Sequence, residues 1–466
     1  MRDLCPTRTF LYVLFYILLF NSCSDEIEPF DQSSNGEFTA IPDDEELVDL
    51  LVDVSNGLGH SFFILPNETD YASIPQDPKN PITAAKVALG QLLVHETATG
   101  GAPKVESAIY TYSCSSCHPV ASGFYSGLRQ GIGEGGMGFG FSGDGRVVMP
   151  ESVFPRDSLD VLPIKVPTIL NVAYQEVMLW NGALGGTGIN APFINTGTNA
   201  EDLPDNLLGF EGLEVQGMAG QLVHRLKIDE EFVDQFGYRA MFDAAFPEIS
   251  ENERYSRLTG ALAIAAFNRT VLSNQSPWQN WLKGNDDAMT DNQVSGAKVF
   301  FDKGKCYQCH TGPALKSNEF HAFGMGDFDP RETIILDRRG FKKDVTRGRG
   351  AFTEREEDEF KFKVPTLYNL RDNPSYGHGG TFTSVRQVIE YKNNGRKQNE
   401  RVPDTQLADQ FGNLDLTETE ISQLVDFVEN GLYDPNLIRY VPEEVLSGNC
   451  IPNNDTQSKL DLGCED

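Results

Sequence analysis

The sequence predicts a mainly α fold built as two helical domains. Three observations carry that prediction. A Cys-x-x-Cys-His motif occurs twice, at 114–118 and 306–310. Each motif follows a stretch with apolar residues at helical spacing, AAKVALGQLLVHE before the first and NQVSGAKVFFDKG before the second. Almost nothing in the chain alternates with the period of a strand.

The elements follow in order. A short basic start leads into an apolar run from Phe10 to Phe20, then Asn-Ser-Cys. That run is short for a bilayer span and has the shape of an export signal, so residues 1–22 are expected to be a signal peptide. Ser22 before Cys23 resembles a bacterial lipoprotein cleavage box, although Phe20 stands where such boxes usually carry Leu. The mature chain would then start at a lipidated Cys23, anchored rather than spanning. The alternative is a plain cleaved leader. Residues 23–46 are polar and acidic and are expected to be a flexible tether. The expected localisation is the periplasm or the cell envelope.

Residues 47–285 are expected to form the first domain and 286–440 the second. After the first motif, GLRQGIGEGGMGFGFSGDGR predicts a long loop. RLTGALAIAAFNRTVL, 257–272, is a strongly apolar helix. SPWQNWLKG is expected to be a linker, with Pro277 near its start and Gly284 closing it. TETEISQLVDFVENGL begins with a Thr417/Glu420 capping box, presents Ile421, Leu424, Val425 and Val428 on one face, and stops at Gly431. Residues 441–466 are a polar tail in which Cys450 and Cys464 could close a disulfide, which an exported chain permits; two free thiols are the alternative.

Composition narrows the function. The chain has 466 residues and a formal net charge of −30. No basic stripe offsets that repulsion, which excludes nucleic-acid binding. The acidic excess is either a solvated surface or a field that steers a cationic partner. The two CxxCH motifs are more specific. Two thiols at this spacing add across the vinyl groups of one haem edge, and the next residue places an imidazole under the iron. A zinc site needs more ligands nearby, and a CxxC redox pair needs no histidine. Two covalent haems c are therefore expected, on Cys114, Cys117 and His118 and on Cys306, Cys309 and His310.

The chain resembles the bacterial di-haem cytochrome c peroxidases and their relatives that mature methylamine dehydrogenase. LGQLLVHE, SCSSCH, KVPTILNVAYQEVMLWNG, GLEVQG, SPWQNWLKG, KCYQCHTGPAL, FHAFGMGD and FKVPTLYNLRDNPSYGHGGTF occur in family order between about residue 80 and 435. The resemblance implies two cytochrome c-like domains with one haem each. It implies reduction of hydrogen peroxide at the first haem, with electrons from a small cytochrome c or copper protein entering through the second. It places Trp180 between the haems as a relay or a packing aromatic, and His378 in the second haem pocket. Two other activities stay open: a protein-modifying oxidase that stores oxidising equivalents on both haems, and a pure electron carrier.

Three departures from the family pattern matter. Family members place Met or Tyr fourteen residues after the histidine of a Tyr-x-His-x-Gly motif, as sixth ligand of the second haem. Here that position is Lys392, with Tyr391 one residue short. At about 100° per residue, Lys392 falls near the centre of the stripe of Val385, Val388 and Ile389, and Tyr391 to its side. Lys392 as a neutral amine is the first expectation, Tyr391 the second; Met325, water, or a Lys392 paired with a haem propionate remain. The first haem lacks the family's Pro-x-Glu-Met carboxylate, leaving Glu214, Gln216 and His224 as candidates to move a proton on peroxide. His224 could equally bind the iron or sit at the surface. Finally, Lys165 stands where a calcium ligand is expected, and a cation cannot ligate calcium, so calcium is doubtful.

Overall fold

The computed structural model describes residues 42–328, 344–412 and 414–464. The expected signal peptide, Cys23 and most of the tether lie outside them. The last tether residues do not: helix α1 spans Glu45–Val54, its N-cap Asp44 accepts from Leu47 N, and Lys298 pairs with Asp44 (3.0 Å) and Glu46 (2.7 Å). Residues of the expected tether thus join helix α1, where Asp44 and Glu46 have partners to hold.

The other principal helices are α2 (Ala84–His95), α3 (Gly212–Val223), α4 (Arg257–Thr270), α5 (Pro277–Leu282), α6 (Asp291–Phe301), α7 (Val385–Asn394) and α8 (Glu418–Asp426). Their starts follow from local chemistry. Thr83, Ser256, Ser276, Thr290, Ser384 and Thr417 each accept a backbone N–H of the first turn. The described strands are four two-residue pieces in two ribbons: β1 (Gly136–Met137) pairs antiparallel with β2 (Val147–Val148), and β3 (Phe320–His321) with β4 (Phe362–Lys363). The fold is mainly α.

Each half is organised by the helix that leads into its CxxCH turn. In the first half α2 crosses α4 so closely that a Cβ on Gly90 would lie 2.0 Å from Ala263 O. In the second, α6 crosses α8, and a Cβ on Gly296 would lie 2.1 Å from Gln423 O. Any larger residue at either position would force the pair apart, so both crossings depend on glycine. Around the first crossing Leu89, Leu93, Phe232, Phe242, Ile264 and Phe267 form one core. Around the second, Phe300, Phe301, Ile421, Leu424 and Phe427 form another.

Two segments pack differently from the chain-order division. Leu47 and Leu51 of α1, with Phe63, Leu65 and Ile74, join the second core. The expected linker is helix α5, with Ser276 as cap and Pro277 in the first turn. Its Trp278 and Trp281 are 0% and 1% exposed and stack on each other at 5.5 Å. Two indoles buried against Phe63, Phe301 and Phe427 outweigh the turn signal of Pro277 and Gly284.

Cys450 and Cys464 are disulfide-bonded. The tail they close is not a free end. Asn454 N donates to Thr111 O, Ser113 Oγ to Pro452 O, and Asp455 pairs with the buried Arg146, whose guanidinium also donates to Ile132 O and Gly133 O. The tail therefore clasps the segment carrying the first CxxCH motif. Closing a loop of about this length is worth about 3 kcal/mol. Cys450→Ser/Cys464→Ser should lower unfolding stability by about that amount in urea melts. An unchanged midpoint would mean that the tail's hydrogen bonds hold it without the crosslink.

Candidate active site

Both CxxCH motifs form single 3₁₀ turns, at Cys114–Ser116 and Cys306–Gln308. The first turn is held by Ser113 and Ser116, which cap each other's backbone. The histidine that follows each turn is oriented through one ring nitrogen. His118 Nδ1–H donates to Phe124 O at 3.0 Å. His310 Nδ1–H faces Leu315 O and Pro365 O, both at 3.1 Å. The acceptor residues Phe124 and Leu315 both have positive φ, 57° and 44°, which turns the carbonyl-bearing loop back toward the ring. Each imidazole is left with Nε2 as its free ligand atom. Burial pulls both histidines down to about 4, so both are neutral at pH 7, as a metal ligand must be.

None of the four motif cysteines is in a disulfide. Burial pushes Cys114 up to about 11 and Cys117 up to about 12, the opposite of a reactive CxxC redox pair. Both motifs line one cavity of about 560 Å³. Two thiols and one imidazole lining the cavity, repeated twice, fit covalent tetrapyrrole attachment. Among the described residues one other group has metal-ligand geometry, Cys309, Glu319 and His321, with His321 Nε2 3.5 Å from Cys309 Sγ and 3.0 Å from Glu319. It lacks the fourth ligand of a closed zinc site.

Trp180 and His378 both line the cavity, ring centroids 6.4 Å apart and edge-on. Trp180 Nε1 donates to Lys165 O at 2.7 Å. His378 stacks on Phe362 at 3.7 Å, and its Nε2 lies 3.1 Å from Asp327.

Of the proton-transfer candidates, Gln216 and His224 line the cavity with His118. Glu214 does not. It is 0% exposed and carries a buried ion pair to Arg269 (2.8 Å), with Asn80 Nδ2 donating to its other oxygen at 3.1 Å. The reason is helical: residues two apart on α3 point about 200° apart, so Glu214 and Gln216 cannot share a face. His224, the C-cap of α3, meets a residue the sequence did not single out. Its Nδ1 lies 2.8 Å from Oδ2 of the buried Asp160. Burial alone would lower the His224 pKa, but the Asp160 charge and hydrogen bond outweigh it and leave the group raised. Asp160 sits in a loop with no pattern of its own, so no local signal pointed to it.

On α7, Lys392 lines the cavity with its ammonium 5.8 Å from the Phe323 ring, and no hydrogen bond or ion pair holds it among the described residues. Tyr391 is tied instead: its hydroxyl donates to Phe323 O at 2.7 Å and accepts from Gln398 N at 3.2 Å. The buried face of α7 is wider than the apolar stripe, and Tyr391 packs in the second core against Phe382 and Phe411. Tyr391 also lines the cavity, but its hydroxyl is engaged by these two bonds, whereas the Lys392 amine is not. Met325 also lines the cavity.

Residues 84–287 match the family model described as di-haem cytochrome c peroxidase. The chain is 26% identical over 373 residues to the cytochrome-c peroxidase IdrP1 of Pseudomonas sp. (strain SCT), covering 76% of this chain and 83% of that protein. It is 25% identical to the cytochrome c peroxidase Ccp of Escherichia coli (strain K12), over 84% of this chain and 69% of that one. It is 26% identical to the methylamine utilization protein MauG of Methylorubrum extorquens, over 78% and 83%. The crystal structure of a MauG-like protein associated with microbial copper homeostasis has the same fold, at TM-score 0.54 and 24% identity, over 80% of this chain and 96% of that one. With both motifs lining one cavity, these matches make the chain a peroxidase-like oxidoreductase that is similar over residues 84–287 to the di-haem cytochrome c peroxidases.

Proposed function

We propose that this protein reduces hydrogen peroxide to water, with electrons from a small exported cytochrome or copper protein. The observation that carries the reading is the Asp160-held imidazole of His224, which lines the same cavity as His118 and Gln216. Covalent haem at Cys114, Cys117 and His118, and at Cys306, Cys309 and His310, supplies the redox chemistry. The net reaction takes two electrons and two protons per peroxide and gives two waters. His224 Nε2 accepts the proton of the near peroxide oxygen and returns it to the departing one. The Gln216 amide, which lines the cavity, would donate a hydrogen bond to the peroxide. Trp180, which lines the cavity with both motifs, would relay electrons between the two haems. Purified protein with two haems should oxidise added ferrocytochrome in the presence of peroxide. A fully loaded protein with no such turnover would rule this reading out.

Lys392 favours a second reading, an oxidase that modifies a partner protein. A nitrogen ligand in place of a thioether lowers the haem potential and favours oxidised iron. Lys392 on the second iron would then suit storage of oxidising equivalents on both haems. Absorption and paramagnetic resonance spectra of Lys392→Ala should show a changed axial ligand on the second haem only. Spectra identical to the wild type would eliminate lysine ligation. Oxidised product on a partner tryptophan or tyrosine, without cytochrome turnover, would select this second activity; two low-spin six-coordinate irons at rest would mark an electron carrier.

We further propose that the protein works in the cell envelope, where a lipid on Cys23 would hold it. No helix among the described residues is long and apolar enough to cross a membrane. Labelled palmitate should enter the wild type and not Cys23→Ser; equal labelling would remove the anchor.

A further inference from the structure

The tetrapeptide KVPT occurs twice, at 165–168 and 363–366, once after each CxxCH motif. The two copies have the same local form. Thr168 Oγ1 donates to Gly123 O and Thr366 Oγ1 to Ala314 O, both at 2.8 Å. Asn171 and Asn369 both take a left-handed φ of 55°. Lys165 and Lys363 therefore occupy equivalent positions in the two halves, and both line the cavity. They also enclose Trp180, whose indole donates to Lys165 O while Lys363 N donates to Trp180 O at 2.8 Å.

The side chains of these lysines are anomalous for a chain of net charge −30. Lys165 is 2% exposed and Lys363 7%, with a third, Lys316, 5% exposed beside Lys363. Their partners are neutral. Lys165 Nζ has only long contacts to Ser126 O (3.4 Å) and Leu128 O (3.5 Å). Lys363 Nζ meets Gln175 Oε1 and Val177 O, and Lys316 Nζ meets Tyr174 O and Asn318 Oδ1. Among the described residues no carboxylate forms an ion pair with any of the three. Left like this, burial pulls Lys165 and Lys363 down to about 7 and Lys316 well below its usual value. Burying ammonium groups without counter-charge is costly, and an acidic protein has many carboxylates that could have been used. Lys316 feels the charge of Glu176, but Lys165 and Lys363 feel no such charge, and the anion missing beside them is one that the described residues do not supply.

Haem carries two propionate carboxylates. We propose that Lys165 and Lys363, which line the cavity and are each bonded through the backbone to Trp180, are the counter-ions of the propionates of the two haems. This rests on the two-haem reading. A fixed cation beside each tetrapyrrole favours the reduced iron, so the lysines hold the potentials up. The competing role is neutral: amines that pin backbone carbonyls and touch no anion.

The test is a spectroelectrochemical titration of haem-loaded Lys165→Met and Lys363→Met, with the two haems resolved. Each variant should make reduction of at least one haem about tenfold less favourable, a drop of about 59 mV for a one-electron couple. Lys165→Arg and Lys363→Arg, which keep the charge, should hold the wild-type potentials. Unchanged potentials in both methionine variants, with both haems in place, overturn the proposal. Lys165→Gln and Lys363→Gln replace any methionine variant that does not load. A second measurement needs no variant. In the wild type, the propionate bending bands in resonance Raman spectra should shift on exchange into D₂O, because the partners carry exchangeable N–H; unshifted bands also overturn it. A wild type with fewer than two haems defeats the two-haem reading instead.

Discussion

Replacing His224 with alanine should slow peroxide turnover by about 10²–10⁴-fold while both haem absorption bands stay in place. The size follows from the task. Splitting the O–O bond requires a proton to leave the near oxygen and reach the far one, and a positioned base does both. His224 has the geometry, because its hydrogen bond to Asp160 Oδ2 fixes the proton on Nδ1 and leaves Nε2 for the cavity. It also has the electrostatics. Burial lowers its pKa, while the Asp160 charge and hydrogen bond raise it further than burial lowers it. Arg225, its neighbour, pushes down as well but is itself paired with Glu134. With the folded pKa above 6.5, His224 is a competent base only above that raised value. The rate of the peroxide reaction should therefore rise with pH through a midpoint above 6.5. Asp160→Asn should move that midpoint to lower pH. The same pair contributes stability that is full below pH 6.5 and is lost as pH rises through the folded value. Stopped-flow traces with peroxide across this range read both effects. A His224→Ala protein within a few-fold of the wild type, or an Asp160→Asn profile with an unmoved midpoint, would assign the dyad a structural role.

What was legible in the sequence was local. A CxxCH pair is five consecutive residues, a capping box is four, and the α2, α4, α6 and α8 segments carry their periodicity within one or two turns. Cys450 and Cys464 were pairable because the loop between them is short. What was not legible depends on contacts far along the chain. Asp160 and His224 are 64 residues apart. Trp278 and Trp281 belong to a helix because Phe63, far upstream, and Phe427, far downstream, pack on them. What separates Tyr391 from Lys392 is Phe323 O, which ties the phenol and not the amine. Periodicity placed Lys392 toward the cavity correctly, but it could not show that α7 buries Tyr391 as well. Glu214 failed for a reason the sequence did contain, since α3 cannot present it and Gln216 together.

Glu214→Ala should cost about 3–5 kcal/mol of stability and leave the chemistry of each loaded molecule nearly unchanged. Glu214 and Arg269 are both 0% exposed at their side chains, joined at 2.8 Å and 3.2 Å. Removing the carboxylate leaves a guanidinium in the interior with Glu211, at 2.9 Å, and the carbonyl of Pro75 as its remaining partners. Desolvation alone would lower the Arg269 pKa, and the two glutamates hold it raised, so the charge stays when one of them is lost. The loss spreads further, because Asn80 bridges Glu214 to Lys86 of α2. This network joins α2, α3 and α4 away from the cavity, so its failure should appear as a lower urea midpoint rather than a lower rate. Glu214→Gln, which keeps an acceptor and loses the charge, should fall between the two. The opposite pattern, a normal midpoint with turnover reduced a hundredfold or more, would return Glu214 to the list of proton donors and would mean that α3 rotates when peroxide binds.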